Sequence, residues 1–262
     1  MVYKDFRTVS GILIRRTDNR EVHARIHKSD FGINFGANFE ISCYGFLDDS
    51  TIVVNEFNYI GTGGKATMMV CYDIYTRLPT DSLVDAEFSA WMSPTSFIAY
   101  RRDGDIGRTF FEYTPSTGVE RPLFRGIHTD RCFSVPHSPY FVRTLPGAPP
   151  RVYRKSDLSL VQTLNYSGED YMTPYAFTGD GMHVYAQVDD NTIGKINLLD
   201  GTTTERMSLA KPLNDRNRFF LSPDAGKLVV VDPQTLYLID LATKVRTKIT
   251  PIYPNAFNSA TW

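Results

Sequence analysis

Five residues carry the chain's best prospects for acid–base or metal chemistry: Glu56, His128, Asp130, Asp189 and Asp215. Carboxylates brought in from separate strands can share a proton, or supply the six to eight oxygens that a calcium ion takes. That set would suit a hydrolase or lactonase-type enzyme with an axial metal or acid–base site. The same residues also read as the solvated mouth of a channel. The histidines His23, His27, His128, His137 and His183 form no HExxH pair and neighbour no cysteine pair, so no zinc site is expected. No Gly-x-Ser-x-Gly elbow offers a serine nucleophile. Gly61-Thr62-Gly63-Gly64-Lys65 has the composition of a phosphate loop without its spacing, and no helix follows to present an N-terminus. It reads as a flexible loop. No catalytic residue, metal or cofactor is assigned on these grounds.

A second group suits contact better than catalysis. Phe31, Ile33 and Phe35 alternate with small and polar residues in 28–38. Tyr59 and Lys65 flank the glycine-rich part of 58–65, and Arg101, Arg102, His128 and Arg131 add a basic set. An apolar patch beside basic residues fits a protein partner. The plainer readings are an edge strand, a charged turn and a channel rim. A third reading takes the same mouth as a receptor for a small molecule or glycan; Arg101, Arg131 and Arg218 could separately be drawn as a triad for a carboxylate, but three arginines among 28 basic residues single out no site.

A repeat must position these residues. Its cleanest copy runs from Phe219 to Val245: an apolar run, the turn Ser222-Pro223-Asp224-Ala225-Gly226, a Val-rich strand, and a third strand ending in Asp240-Leu241-Ala242-Thr243-Lys244. Val, Tyr and Ile suit a pleated, half-buried surface, while Pro, Asp and Gly supply turn dihedrals. Copies of the first turn centre near 49, 94, 137, 180 and 224, in steps of roughly 43 to 45 residues. A second turn recurs in phase at 73–77, 114–118, 156–159, 199–202 and 241–244, with one more copy at 16–20. Four short strands in about 40 residues describe one propeller blade.

The spacing predicts an all-β, six-bladed propeller in one domain. Its blades span about 39–84, 86–125, 131–167, 173–209 and 217–249, and the sixth joins 1–27 to 255–262. Pairing the last strand with the first strands would leave the ring without a free sheet edge. In such a ring the insertions 28–38 and 58–65 emerge on one face, together with 101–105 and 126–131. Loops held by a rigid scaffold are where binding residues concentrate. Leu145-Pro146-Gly147-Ala148-Pro149-Pro150 is the equivalent loop of another blade, stiffened by its prolines.

The blade motifs Ser222 to Val230 with Leu238 to Thr243, and Thr178-Gly179-Asp180-Gly181-Met182-His183-Val184-Tyr185 with Ile196 to Gly201, resemble the repeats of WD40-like, TolB-like and lactonase-like propellers. The resemblance implies a blade and carries no family's catalytic residues with it. The net charge of −1 gives no field for nucleic acid or anionic lipid, and no apolar run is long enough to span a membrane. The thirteen per cent aromatic content falls mainly on strand positions, as packing requires. Cys43, Cys71 and Cys132 are odd in number and read as free thiols in a reducing compartment, which places the chain in the cytoplasm. The leading expectation is a non-enzymatic protein-binding scaffold.

Overall fold

The structure is a computed structural model. It describes residues 2–4, 11–15, 22–27, 39–60, 64–145, 147–164, 176–189, 191–208, 218–222, 226–232, 235–249 and 260–261. The chain forms two compact units, one of 1–88, 94–124 and 258–262, the other of 89–93 and 125–257.

Every described element is a strand or a turn. The first three strands are β1 (Val2–Lys4), β2 (Gly11–Arg15) and β3 (Val22–His27). One blade follows as β4 (Phe39–Phe46), β5 (Thr51–Ile60), β6 (Gly64–Asp73) and β7 (Leu78–Val84). The next is β8 (Glu87–Ser93), β9 (Ser96–Asp103), β10 (Gly107–Thr114) and β11 (Val119–Ile127). Then come β12 (Arg131–Phe133), β13 (Tyr140–Leu145), β14 (Ala148–Arg154) and β15 (Leu160–Thr163). The fourth consists of β16 (Ala176–Phe177), β17 (His183–Asp189), β18 (Thr192–Asn197) and β19 (Thr203–Ser208). The fifth consists of β20 (Arg218–Leu221), β21 (Lys227–Asp232), β22 (Thr235–Asp240) and β23 (Arg246–Ile249), and β24 is Ala260–Thr261. Five sheets are thus four consecutive strands each, while β24 joins the first three strands in the order β24-β1-β2-β3. β24 runs antiparallel to β1, with Val2 opposite Thr261 and Tyr3 opposite Ala260.

The two turns of the repeat have a physical basis. In the second turn the amide of the fifth residue donates to the carbonyl of the first: Arg77 to Asp73, Gly118 to Thr114, Leu158 to Arg154, Gly201 to Asn197 and Lys244 to Asp240. Those five donors all have positive φ, between 59° and 74°. Where the first residue is Asp73 or Asp240, its Oδ1 accepts the two following free amides, which fixes the turn locally. The residue after it then reaches across to the first turn. Ile74, Lys155, Leu198 and Leu241 donate their amides to the carbonyls of Ser50, Pro139, Met182 and Gly226. In the β8–β11 blade the same place holds Pro115, which has no N–H to give.

Packing follows the alternation of the strands. Ile52 and Val54 on β5 lie with Ile41, Val70 and Tyr72 against Ile26 of β3. In the second unit Val142, Val152, Val184 and Ala186 form one cluster, and Tyr185, Ile193, Leu228 and Val230 form another. Burying an aliphatic side chain of this size contributes about 1.5–3 kcal/mol. Aromatic rings fill the remaining volume, as in the Tyr44–Phe88 stack at 4.5 Å and the Phe110–Phe124 stack at 4.8 Å.

Two expected loops are strand at their flanks, with 61–63 and Pro146 outside the described residues. Residues 58–60 and 64–65 extend the β5–β6 ladder, with Tyr59 opposite Lys65 and Ile60 opposite Gly64. Continuous antiparallel register carries the chain past the expected loop. Pro149 and Pro150 likewise belong to β14 rather than to a stiff link, which places them at the strand's start, where a missing N–H is tolerated.

Candidate functional site

In the first unit, Glu56 lies on the face of β5 that carries Ile52 and Val54. It is 1% exposed, and neither carboxyl oxygen has a hydrogen-bond partner. Ile41 and Met68 stand opposite it on β4 and β6. Burial in these apolar surroundings pushes its pKa up to about 7. Its neighbour Asn55 faces the other way and is wholly buried. The Asn55 amide donates to the Ala86 carbonyl at 3.0 Å and its Oδ1 accepts the Phe88 amide at 2.8 Å.

The arginines of β9 are both engaged. Arg101 makes a bidentate pair with Glu120 at 2.6 and 2.7 Å and lies over Phe111. Arg102 reaches Glu87 at 3.3 Å, and the Tyr100 hydroxyl donates to the same carboxylate at 2.6 Å. Arg108, 6% exposed, stacks its guanidinium 4.0 Å from the Tyr100 ring centroid. Glu87, Tyr100, Arg102 and Arg108 therefore form one buried-to-exposed polar cluster at the start of β8. Sequence reading picked out only Arg102 of the four.

In the second unit, His128 is exposed and its carbonyl accepts a hydrogen bond from Arg131 at 3.0 Å. Asp130 is 1% exposed and pairs with Arg143 at 2.5 Å. Arg143 also donates to the Arg125 carbonyl, so Asp130 anchors the entry to β12. Asp189 is exposed and closes the turn to β18. A hydrogen bond from the Thr192 side chain, with the Asn191 amide, holds its carboxyl below the usual range. The structure thus brings His128, Asp130 and Arg131 together and leaves Glu56 apart from Arg101 and Arg102. Phe31, Ile33, Phe35 and Asp215 lie outside the described residues. Among the described residues no three His, Cys, Asp or Glu side chains gather closely enough to hold a metal ion. No described helix is long and apolar enough to cross a membrane.

Lys155 escaped sequence reading. It is 7% exposed, its Nζ donates to the Val135 carbonyl at 2.8 Å, and burial pulls its pKa down to about 7. The signal lay in the repeat: Ile74 and Leu198 occupy the same turn position in other blades, and both are buried.

Compared with known proteins, the chain matches no protein-family model and no curated protein. Its fold is similar to that of TolB from Acinetobacter baumannii in the crystal structure, with a TM-score of 0.66 and 13% sequence identity. The likeness covers 97% of this chain but 63% of that one, so the chain spans less than two thirds of the length of the structure it matches. At this identity the likeness shows the fold, a β-propeller of four-stranded antiparallel blades. Solved chains that match number 961, and a fold shared so widely specifies no activity.

Proposed function

We propose that the chain is a non-enzymatic, protein-binding six-bladed propeller. Its sixth blade is the β24-β1-β2-β3 sheet, whose pairing seals the ring. Its binding element is the end of the β4–β7 blade from which the β5–β6 hairpin projects. The length of that hairpin carries the reading. β5 and β6 have 10 residues each, whereas the second and third strands of the other four blades have 6 to 8. At about 3.3 Å per residue the excess is a projection of roughly 7 to 13 Å. β4 accompanies β5 only to the Phe39–Asn58 pair, and β7 accompanies β6 only to the Val84–Met68 pair. Beyond these points both outer edges of the hairpin lack a neighbouring strand among the described residues. A stiff hairpin with open edges suits a protein surface, which can pair with the backbone or pack against it.

The candidate catalytic residues support the same reading. Asp130 is committed to Arg143, and Asp189 to its own turn. The segment 28–38, which precedes β4 in the same unit, is assigned to the proposed binding element. We place the protein in a reducing, intracellular compartment on its three free thiols.

The test replaces 59–65 by a two-residue turn and compares partners captured by the intact and shortened proteins in quantitative affinity mass spectrometry. Matching far-ultraviolet dichroism would show that the shortened protein folds. Partners lost only from the shortened protein would support the reading. An unchanged set of partners would refute the hairpin's role.

A further inference from the structure

Glu56 stands on the packed face of β5. Counted from the carbonyl that receives the second turn's amide, Glu56 is the sixth residue after Ser50, as Leu145 is after Pro139, Val188 after Met182 and Asp232 after Gly226. Val188 packs against the hydrophobic cluster of its blade. Glu56 shares its face with Ile52 and Val54, which meet Ile26 of β3. A carboxyl group therefore sits on the packed boundary between two sheets of one unit, with both oxygens buried and unpartnered. Among the described residues β24 pairs with β1 at two positions, Val2–Thr261 and Tyr3–Ala260.

We propose that this boundary is a proton-controlled latch: the β24-β1-β2-β3 sheet is held against the β4–β7 blade while Glu56 is protonated and is loosened when Glu56 ionises. A neutral carboxyl is tolerated among Ile41, Val54 and Met68, whereas a carboxylate there would lack a hydrogen-bond donor among the described residues. Opening the boundary hydrates the charge. The other titratable groups facing this place do not account for such behaviour. From β4, the Cys43 thiol is pushed up to about 11 by burial and stays protonated near neutral pH. From β6, Met68 and Val70 do not titrate, and Tyr72 is fully buried. From β3, His23, Arg25 and His27 alternate with Ile26 along the strand. Histidine ordinarily changes charge near neutral pH, so the experiment must separate these two residues from Glu56.

Amide hydrogen exchange, corrected for the intrinsic pH dependence of the chemistry, reads the latch directly. With a carboxyl group near 7 when closed and near its usual 4.5 when open, the opening equilibrium rises about tenfold between pH 6 and pH 8. The wild type should show that increase in β1–β3 and β4, with none in β21 and β22. Glu56→Gln and Glu56→Val should abolish it, the valine variant serving if the glutamine variant folds poorly. Exchange that is flat with pH in the wild type would overturn the proposal. So would an increase that persists in both variants, which would assign it to His23 or His27.

Discussion

Replacing Lys155 by methionine tests the largest mismatch between a residue and its place in the repeat. The lysine occupies the buried turn position held elsewhere by Ile74 and Leu198. Methionine keeps an unbranched stem of similar length and removes the amine. The Val135 carbonyl does not become an orphan, because the Ser138 amide and the Ser134 hydroxyl also donate to it, both at 3.2 Å. Burial lowers the amine from its usual 10.5 to about 7, a difference equivalent to about 5 kcal/mol. The sign follows from proton counting. Below pH 7 the amine is charged in both the folded and unfolded chains, and the penalty for burying the charge is complete. From 7 to 10.5 the unfolded chain holds a proton that the folded one has released, so folding stability rises by about 1.4 kcal/mol per pH unit. Above 10.5 the penalty is gone.

Urea unfolding of wild type and Lys155→Met at pH 6, 7.5 and 9.5 would measure this, because their difference cancels every group the two share. Trp91, which belongs to the same unit and is 7% exposed, can report the transition in a Trp262→Phe background. The methionine variant should be several kcal/mol more stable at pH 6. The wild type should recover about 2.7 kcal/mol of that gap between pH 7.5 and 9.5. Parallel stability curves for the two proteins would refute the reasoning, since an exposed or otherwise satisfied lysine gives no such convergence.

Two further outcomes follow from geometry. Asn55→Ala removes one side chain that satisfies the Ala86 carbonyl and the Phe88 amide, and chemical denaturation should show a loss of about 2–4 kcal/mol. Glycines of similar backbone should respond differently: Gly181 has φ +66° with the Ser138 Cα only 2.5 Å from an added Cβ, whereas Gly118 has φ +65° with open space around it. Gly118→Ala should lower stability by about 1 kcal/mol, and Gly181→Ala by clearly more, as compared by thermal melts.

The blade was legible in the sequence because each of its turns is encoded within five residues. An Asp or Asn side chain in most copies, a residue able to take positive φ and flanking β-branched runs leave a recurring mark, although 114–118 has neither Asp nor Asn. The pairing of β24 with β1 was legible because the first segments lacked a partner strand and the last segment supplied one. The β5–β6 extension was misread because Gly and Thr signal a loop locally, while strand continuation depends on the partner's register. Glu56 and Lys155 were hidden for another reason. The exposure of a charged residue depends on its place in the repeat, and residue type alone points to solvent. Superposing the copies sets Lys155 against Ile74 and Leu198, whereas it sets Glu56 against Leu145, Val188 and Asp232 and so does not by itself mark its burial. Glu87 and Arg108 show the same limit, since their shared partner Tyr100 reads in the sequence as one more packing aromatic.

The amide that runs from the second turn to the first carbonyl has a consequence for how such a chain can diversify. In four blades it ties both hairpin connections at one end into a single backbone knot, so lengthening either connection disturbs both. The opposite end of each blade has only one connection, and its register can simply be continued, as β5 and β6 do. Inherited variation in length should therefore accumulate at that free end. Among the described blades, the β8–β11 blade, whose proline leaves the knot untied, is where the tied end could accept new sequence at little disturbance to the rest.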